Sequence, residues 1–254
     1  MDIEKLIREV SEEIGAVSSA GEGSDKKDAA ALNEIALKLE HSMSTPDLCE
    51  KTVLEACKQA RKYHIAAVCV PPYHTSAAKQ ALMGSGVAVC TLIGVPNALF
   101  SMDAKLADVR YSLLSGADEL DVAINGMAVK SGRIGDALRE LSAIVDAAKG
   151  RAIVKAAVEL SLFTEGERQR VLYMVKESGA VYVKIQNVLS GKAADPIDIK
   201  YVKEVLRGNV RIKIDGGVKT PEKASSLLSA GADRIGLTAT FDILEKIQRQ
   251  VFIR

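Results

Sequence analysis

Leu113-Leu114-Ser115-Gly116-Ala117-Asp118-Glu119-Leu120-Asp121-Val122-Ala123-Ile124 holds a helix exit, a glycine turn and a short apolar run in direct succession. Its first half returns as Leu227-Leu228-Ser229-Ala230-Gly231-Ala232-Asp233, with one alanine inserted, again just before an apolar run, Arg234–Leu237. Glycine placed after an amphipathic stretch stops a helix. The short apolar run that follows reads as a buried parallel strand. The shared Gly-Ala-Asp therefore predicts a common helix-to-strand turn at two places in one repeating plan.

Working outward from these two turns, short apolar runs alternate with longer amphipathic segments along the chain from about residue 34. The candidate strands are Ile35–Leu39, Ala66–Val70, Val87–Ile93, Glu119–Ile124, Ala152–Val158, Val181–Ile185, Val210–Ile214 and Arg234–Leu237. Helical stretches such as Asp103–Ser115, Asp136–Lys149, Glu165–Ser178, Ile197–Leu206 and Thr220–Ser229 separate them. Eight such units close naturally into a (β/α)8 (TIM) barrel, whose usual length is ~250 residues, and the chain has 254. An open doubly wound sheet would carry a Gly-rich fingerprint after its first strand, and none follows here. The whole of residues 1–254 is read as a single α/β barrel domain with an extra N-terminal helix. That helix, with Ile3, Leu6, Ile7, Val10 and Ile14 at helical spacing, belongs to an N-terminal helical extension over residues 1–33.

Composition narrows the function. Hydrophobic residues at 48% and charged residues at 26% are enough to build a core. Aromatics at 4%, no Trp and a net charge of +1 argue against a base-stacking platform or a phosphate-backbone binder, so no nucleic-acid partner is expected. No apolar run approaches the ~20 residues that span a bilayer, and the N-terminus lacks the pattern of a secretory leader. Cys49, Cys57, Cys69 and Cys90 form no CxxC pair and read as free thiols, which suits a cytoplasmic protein. His41, His64 and His74 are too dispersed for a metal centre; His41 is placed after the first strand, facing a substrate, and the other two are surface or packing residues. Neither a metal nor a cofactor is called for.

In a barrel of this kind the active site lies at the C-terminal ends of the strands. Glu119-to-Ile124 carries Asp121, the fifth strand carries Lys155 and leads to Glu159, the sixth carries Lys184, and the seventh carries Lys213 and Asp215. Charges inside strands are costly to desolvate unless paired. They are either structural ion pairs or a lysine–carboxylate catalytic cluster, in which one cation lowers the pKa of another so that a neutral amine attacks a carbonyl. The Lys/Glu-rich helices read instead as solvated outer faces. Gly216-Gly217-Val218-Lys219-Thr220 after the seventh strand, with Gly236 and Thr238 at the eighth, matches the place where many barrels hold a phosphate on backbone N–H groups.

These residues resemble the deoxyribose-phosphate aldolase family over most of the chain, from about Leu39 to Thr240. The matching segments are Leu39-Glu40-His41-Ser42, Ala67-Val68-Cys69-Val70-Pro71, Gly116 to Val122, Val154-Lys155 with Glu159, Val183-Lys184, Lys213 with Gly216 to Thr220, and Arg234-Ile235-Gly236. The resemblance implies a class I aldolase that cleaves 2-deoxy-D-ribose 5-phosphate reversibly to D-glyceraldehyde 3-phosphate and acetaldehyde. It implies that Lys184 forms the Schiff base, that Lys213 lowers its pKa, that Asp121 relays protons, and that the protein is a homo-oligomer. Gly216, Gly217, Val218, Lys219, Gly236, Thr238 and Gly191 are then the substrate and phosphate contacts.

Departures gather after Lys184. The family continues there with Thr-Ser-Thr-Gly, whereas this chain reads Ile185-Gln186-Asn187-Val188-Leu189-Ser190-Gly191. Glu40 stands where Asp is usual, and Asp215 replaces a small neutral residue and could raise the pKa of either lysine. Three alternatives stay open: a related class I aldolase with a different donor, a sugar-phosphate epimerase using Asp215 before its two glycines, and a non-catalytic sugar-phosphate binder.

Overall fold

The computed structural model of the chain describes residues 32–208 and 210–252. Eight parallel strands close in sequence order, each hydrogen-bonded to the next and β8 to β1. They are β1 (Leu39–Ser42), β2 (Ala67–Val70), β3 (Ala88–Ile93), β4 (Glu119–Ala123), β5 (Ile153–Val158), β6 (Tyr182–Gln186), β7 (Arg211–Asp215) and β8 (Arg234–Leu237). Around them run α1 (Glu50–Tyr63), α2 (Thr75–Leu82), α3 (Met102–Leu114), α4 (Gly126–Lys130), α5 (Ile134–Ala148), α6 (Glu165–Glu177), α7 (Pro196–Leu206), α8 (Pro221–Ser229) and α9 (Thr240–Phe252). The expected (β/α)8 barrel is the fold. The N-terminal helix expected before it lies outside the described residues.

Side chains alternate along each strand because the pleat has period two. Val68, Val89, Leu120, Val122, Val154, Val183, Ile185, Ile212, Ile214 and Ile235 point outward and join the helices in one continuous apolar core. The opposite parity fills the barrel: Glu40, Cys69, Cys90, Asp121, Lys155, Lys184 and Lys213, all buried. Apolar burial between sheet and helices holds the barrel at roughly 25 cal/mol per Å². The interior holds those charges beside a small apolar cluster of Ala67, Cys69, Cys90 and Leu92.

The two Gly-Ala-Asp segments do form the same turn. Gly116 and Gly231 adopt φ of +91° and +99°, which L side chains rarely take. Asp118 Oδ2 accepts from Val89 N at 2.9 Å and Asp233 Oδ2 from Ile212 N at 2.8 Å, so each aspartate ties its strand to the preceding one. Helix starts are capped by Ser101, Asn125, Asp195 and Thr220, and by the Thr164–Glu167 capping box of α6.

One strand was displaced. Ile35–Leu39 was expected as the first, but residues 32–36 are helical and β1 starts at Leu39. Ile35 and Ala36 are buried all the same, and a short buried apolar run does not by itself distinguish helix from strand. The outer helices also break an expectation. Lys105 of α3 and Glu140 of α5 are enclosed between the helices and joined at 2.5 Å, rather than solvated.

Candidate active site

Barrel closure brings β1, β4, β5, β6 and β7 into one charged cluster. Lys184 Nζ lies 2.7 Å from Asp121 Oδ2 and 2.7 Å from Asp215 Oδ2. Lys213 Nζ reaches the same Asp121 oxygen at 2.7 Å and Glu40 Oε2 at 2.6 Å. Lys155 Nζ bridges Glu40 Oε1 at 2.7 Å and Glu119 Oε2 at 2.5 Å. Thus Lys184, Lys213 and Asp121, singled out by sequence, meet directly. Glu119, read only as a strand end, completes the cluster; its even spacing with Asp121 was the available signal.

Depth separates the three lysines. Lys155 and Lys213 have no exposed surface, whereas Lys184 keeps 2% and its partner Asp215 8%. Lys184 is the ammonium nearest the mouth. Asp215 Oδ1 makes no hydrogen bond, and Lys213 Nζ lies 3.8 Å from it.

Burial alone would pull the Lys184 pKa down, but Asp121 and Asp215 outweigh it and hold the group above the ordinary lysine value. Lys213 does push it down, as expected of a neighbouring cation, yet the carboxylates win. The expectation of a lowered lysine pKa is therefore corrected for this resting arrangement. Burial raises Asp121, but Lys184, Lys213 and Lys155 together drive it well below the usual carboxylate range. Glu40 is likewise lifted by burial and then lowered by Lys155 and Lys213 to about 2.

Glu40, Cys69, Cys90 and Asp121 bring ligand atoms within 4.8 Å of one another, a spacing that could hold a metal ion. The carboxylates of that set already carry ammonium groups, and the thiols of Cys69 and Cys90 donate to Glu40 and Asp121 at 3.2 Å each. Lysines occupy the cationic positions.

The expected phosphate contacts fall in several environments. Gly216 and Gly217 leave β7 at φ +110° and +67°, and a Cβ on Gly217 would stand 2.8 Å from Ala193 Cα. Ala194 N donates to Gly216 O at 3.0 Å, so the loop that carries Gly191 packs on this exit. Lys219, Thr238 and Gly191 are exposed, and their polar groups are open to a ligand. Val218 turns its side chain into the core and offers only backbone. Gly236 has a further reason to lack a side chain. It lies inside β8 opposite Asp215, and a Cβ there would stand 1.7 Å from Asp215 Oδ1. The absent side chain makes room for the aspartate.

His41 is also corrected. It lies within β1 on the outer face, with Nδ1 3.1 Å from Thr240 Oγ1 and its ring 4.5 Å from that of Phe241. Burial lowers its pKa to about 4. His74 is a packing residue, with Nε2 3.2 Å from Leu48 O.

A family model described as histidine biosynthesis protein matches residues 140–251, less than half of the chain. The deoxyribose-phosphate aldolase of Geobacillus sp. strain WCH70 is 34% identical over 213 residues, which is 84% of this chain and 96% of that protein. The solved structure of QR15, an aldolase, superposes with a TM-score of 0.81 at 28% identity, covering 87% of this chain and 99% of that one. The tetrameric deoxyribose phosphate aldolase from Aeropyrum pernix shares the fold with a TM-score of 0.79 at 23% identity, covering 91% of this chain and all of that one (100%). With that degree of identity across nearly the whole barrel, the chain belongs to the deoxyribose-phosphate aldolase family.

Proposed function

We propose that this protein is a class I aldolase that reversibly cleaves 2-deoxy-D-ribose 5-phosphate to D-glyceraldehyde 3-phosphate and acetaldehyde, with Lys184 as the Schiff-base residue. The observation that carries the assignment of Lys184 is its position: alone among the three interior lysines it retains exposed surface, and it sits between two carboxylates.

Lys184 starts as an ammonium and passes its proton to a carboxylate 2.7 Å away, Asp215 having an oxygen free of hydrogen bonds. Lys213, on the shared Asp121 oxygen, opposes the return of positive charge to Lys184. The neutral amine adds to the C1 aldehyde, and the carbinolamine takes up a proton and loses water to give the iminium. The C3 hydroxyl gives its proton to a carboxylate, the C2–C3 bond breaks, and its electron pair moves into the iminium as an enamine. Glyceraldehyde 3-phosphate leaves. The enamine takes a proton at C2, and water hydrolyses the iminium to acetaldehyde and the free amine. Lys219, Thr238 and the backbone of Gly216, Gly217, Val218 and Gly191 are assigned to the phosphate side.

Asp215 tells against the epimerase reading, because its carboxylate serves as the counter-ion of Lys184. The same proposal takes the chain as one domain, as a cytoplasmic enzyme with free thiols at Cys49, Cys57, Cys69 and Cys90, and as a homo-oligomer, the state that the family resemblance implies. Among the described residues no helix is long and apolar enough to cross a membrane.

The test is borohydride reduction in the presence of 2-deoxyribose 5-phosphate, followed by intact-mass and peptide mapping. A reduced adduct on Lys184 is expected. Phosphosugar binding without an adduct would move the protein to the non-catalytic or epimerase reading.

A further inference from the structure

A cavity of about 530 Å³ opens beside the lysine cluster, walled by the loops that follow β3, β4, β5 and β6. Its floor includes Ala123, Ala157 and Gln186. Ala157 is the register partner of Lys184 across β5 and β6, and Gln186 is the next residue on the same face of β6. The cavity therefore opens beside the strand position that carries the reactive amine. It lies across the barrel from the β7 and β8 exits, where the phosphate contacts are assigned.

Its walls are apolar toward a ligand. Leu99, Met127, Leu162 and Phe163 are among its lining side chains. The charged groups at its edge have other partners: Lys130 is bound to Glu167 at 2.8 Å, and Glu159 accepts from Leu189 N and Ser190 N at 3.1 Å each. One buried polar atom is left over. Gln186 donates through Nε2 to Pro96 O at 3.0 Å, while its Oε1 has no partner. A buried acceptor without a donor is unfavourable, so a ligand hydroxyl that reached it would be favoured.

We propose that this cavity is the donor side of the site and admits, besides the acetaldehyde of the aldolase reaction, an aliphatic aldehyde or ketone with a longer tail, lying along Leu99, Met127, Leu162 and Phe163 with any hydroxyl toward Gln186. The proposal rests on the Schiff-base reading of Lys184. With the phosphorylated acceptor toward β7 and β8, substituents on the enamine point to the opposite sector. Acetaldehyde, three heavy atoms, fills little of the space; pockets of ~300–1,000 Å³ ordinarily enclose much larger ligands. The bond made is the same one, between the enamine carbon and the acceptor aldehyde carbon, with the acceptor oxygen taking the proton.

The experiment compares pentanal with acetaldehyde as borohydride-trapped adducts on Lys184, in the unmodified protein and in Met127→Trp, which fills the cavity from its half-exposed rim. One methylene in an apolar pocket changes discrimination by about 10–200-fold, so the pentanal-to-acetaldehyde ratio should favour pentanal at least ~10-fold and fall ~10-fold in Met127→Trp. Leu162→Trp, on another half-exposed wall, gives the same comparison should the first variant fail to fold. An unchanged ratio with the acetaldehyde adduct still on Lys184 overturns the subsite and leaves the aldolase reading standing. No adduct from either aldehyde overturns both.

Discussion

Lys105 and Lys184 are both enclosed ammonium groups, but they are partnered differently. Lys105, between α3 and α5, meets Glu140 Oε1 at 2.5 Å and Ala123 O at 2.8 Å, and Asn125 Nδ2 satisfies the other Glu140 oxygen at 3.0 Å. Every polar atom there has its own partner. Lys184 shares Asp121 with Lys213, while Asp215 Oδ1 goes unbonded. A closed one-to-one pair stabilises one arrangement. A shared cluster with spare acceptors near the mouth can move a proton at little structural cost, and burial by itself does not tell the two apart.

Substitutions should separate the two regions. The largest effect is expected from Lys184→Arg, which keeps the charge but forms no imine: turnover should fall on the order of 10⁴-fold or more, with circular dichroism unchanged. Retained turnover would end the Schiff-base assignment. Lys105→Met should do the reverse. Leaving Glu140 buried and unpaired costs about 3–5 kcal/mol, read as a lower urea midpoint, while kcat persists; Lys105→Met with Glu140→Leu should recover most of that loss.

Gly236→Ala tests the spare acceptor. Its Cβ would meet Asp215 Oδ1 at 1.7 Å, so the aspartate must leave Lys184 or the strands must shift, at about 1–3 kcal/mol for overpacking. Combining it with Asp215→Ala should restore the urea midpoint; no restoration would mean that the glycine serves something else. Asp215→Asn removes one of the two carboxylates that raise the Lys184 pKa. The acid limb of the kcat/KM profile should then move to lower pH, and an unmoved limb would remove Asp215 from that role.

A last contrast is the effect of pH on stability. His41 falls to about 4 from 6.5, so its neutral form contributes fully above 6.5 and that contribution is lost as pH drops through 4. Glu40 falls to about 2 from 4.5, so its contribution is present above 4.5 and is lost as pH drops toward 2. Urea midpoints should decline in two successive windows, and Glu40→Gln should flatten only the lower one.

Much of this was legible in sequence because it is local. Short apolar runs, glycine at helix exits and the repeated Gly-Ala-Asp turn act within a few residues, and they marked seven strands to within one residue at either end. β1 was misplaced because Ile35 and Ala36 are as buried in a helical turn as they would be in a strand. Lys155, Lys184, Lys213 and Asp121 stood out because charge is rare inside strands.

What the chain determined by itself, then, was the barrel and the identity of its inward-facing charges, since both follow from residue order along each strand. Which charges meet was decided only by closure. It sets Asp121 of β4 against Lys213 of β7, 92 residues away, and Lys213 against Glu40 of β1, 173 residues away. The donor cavity and the pairing of Lys105 with Glu140 have the same origin. They depend on how loops and helices from separate units pack together, and no local pattern records that.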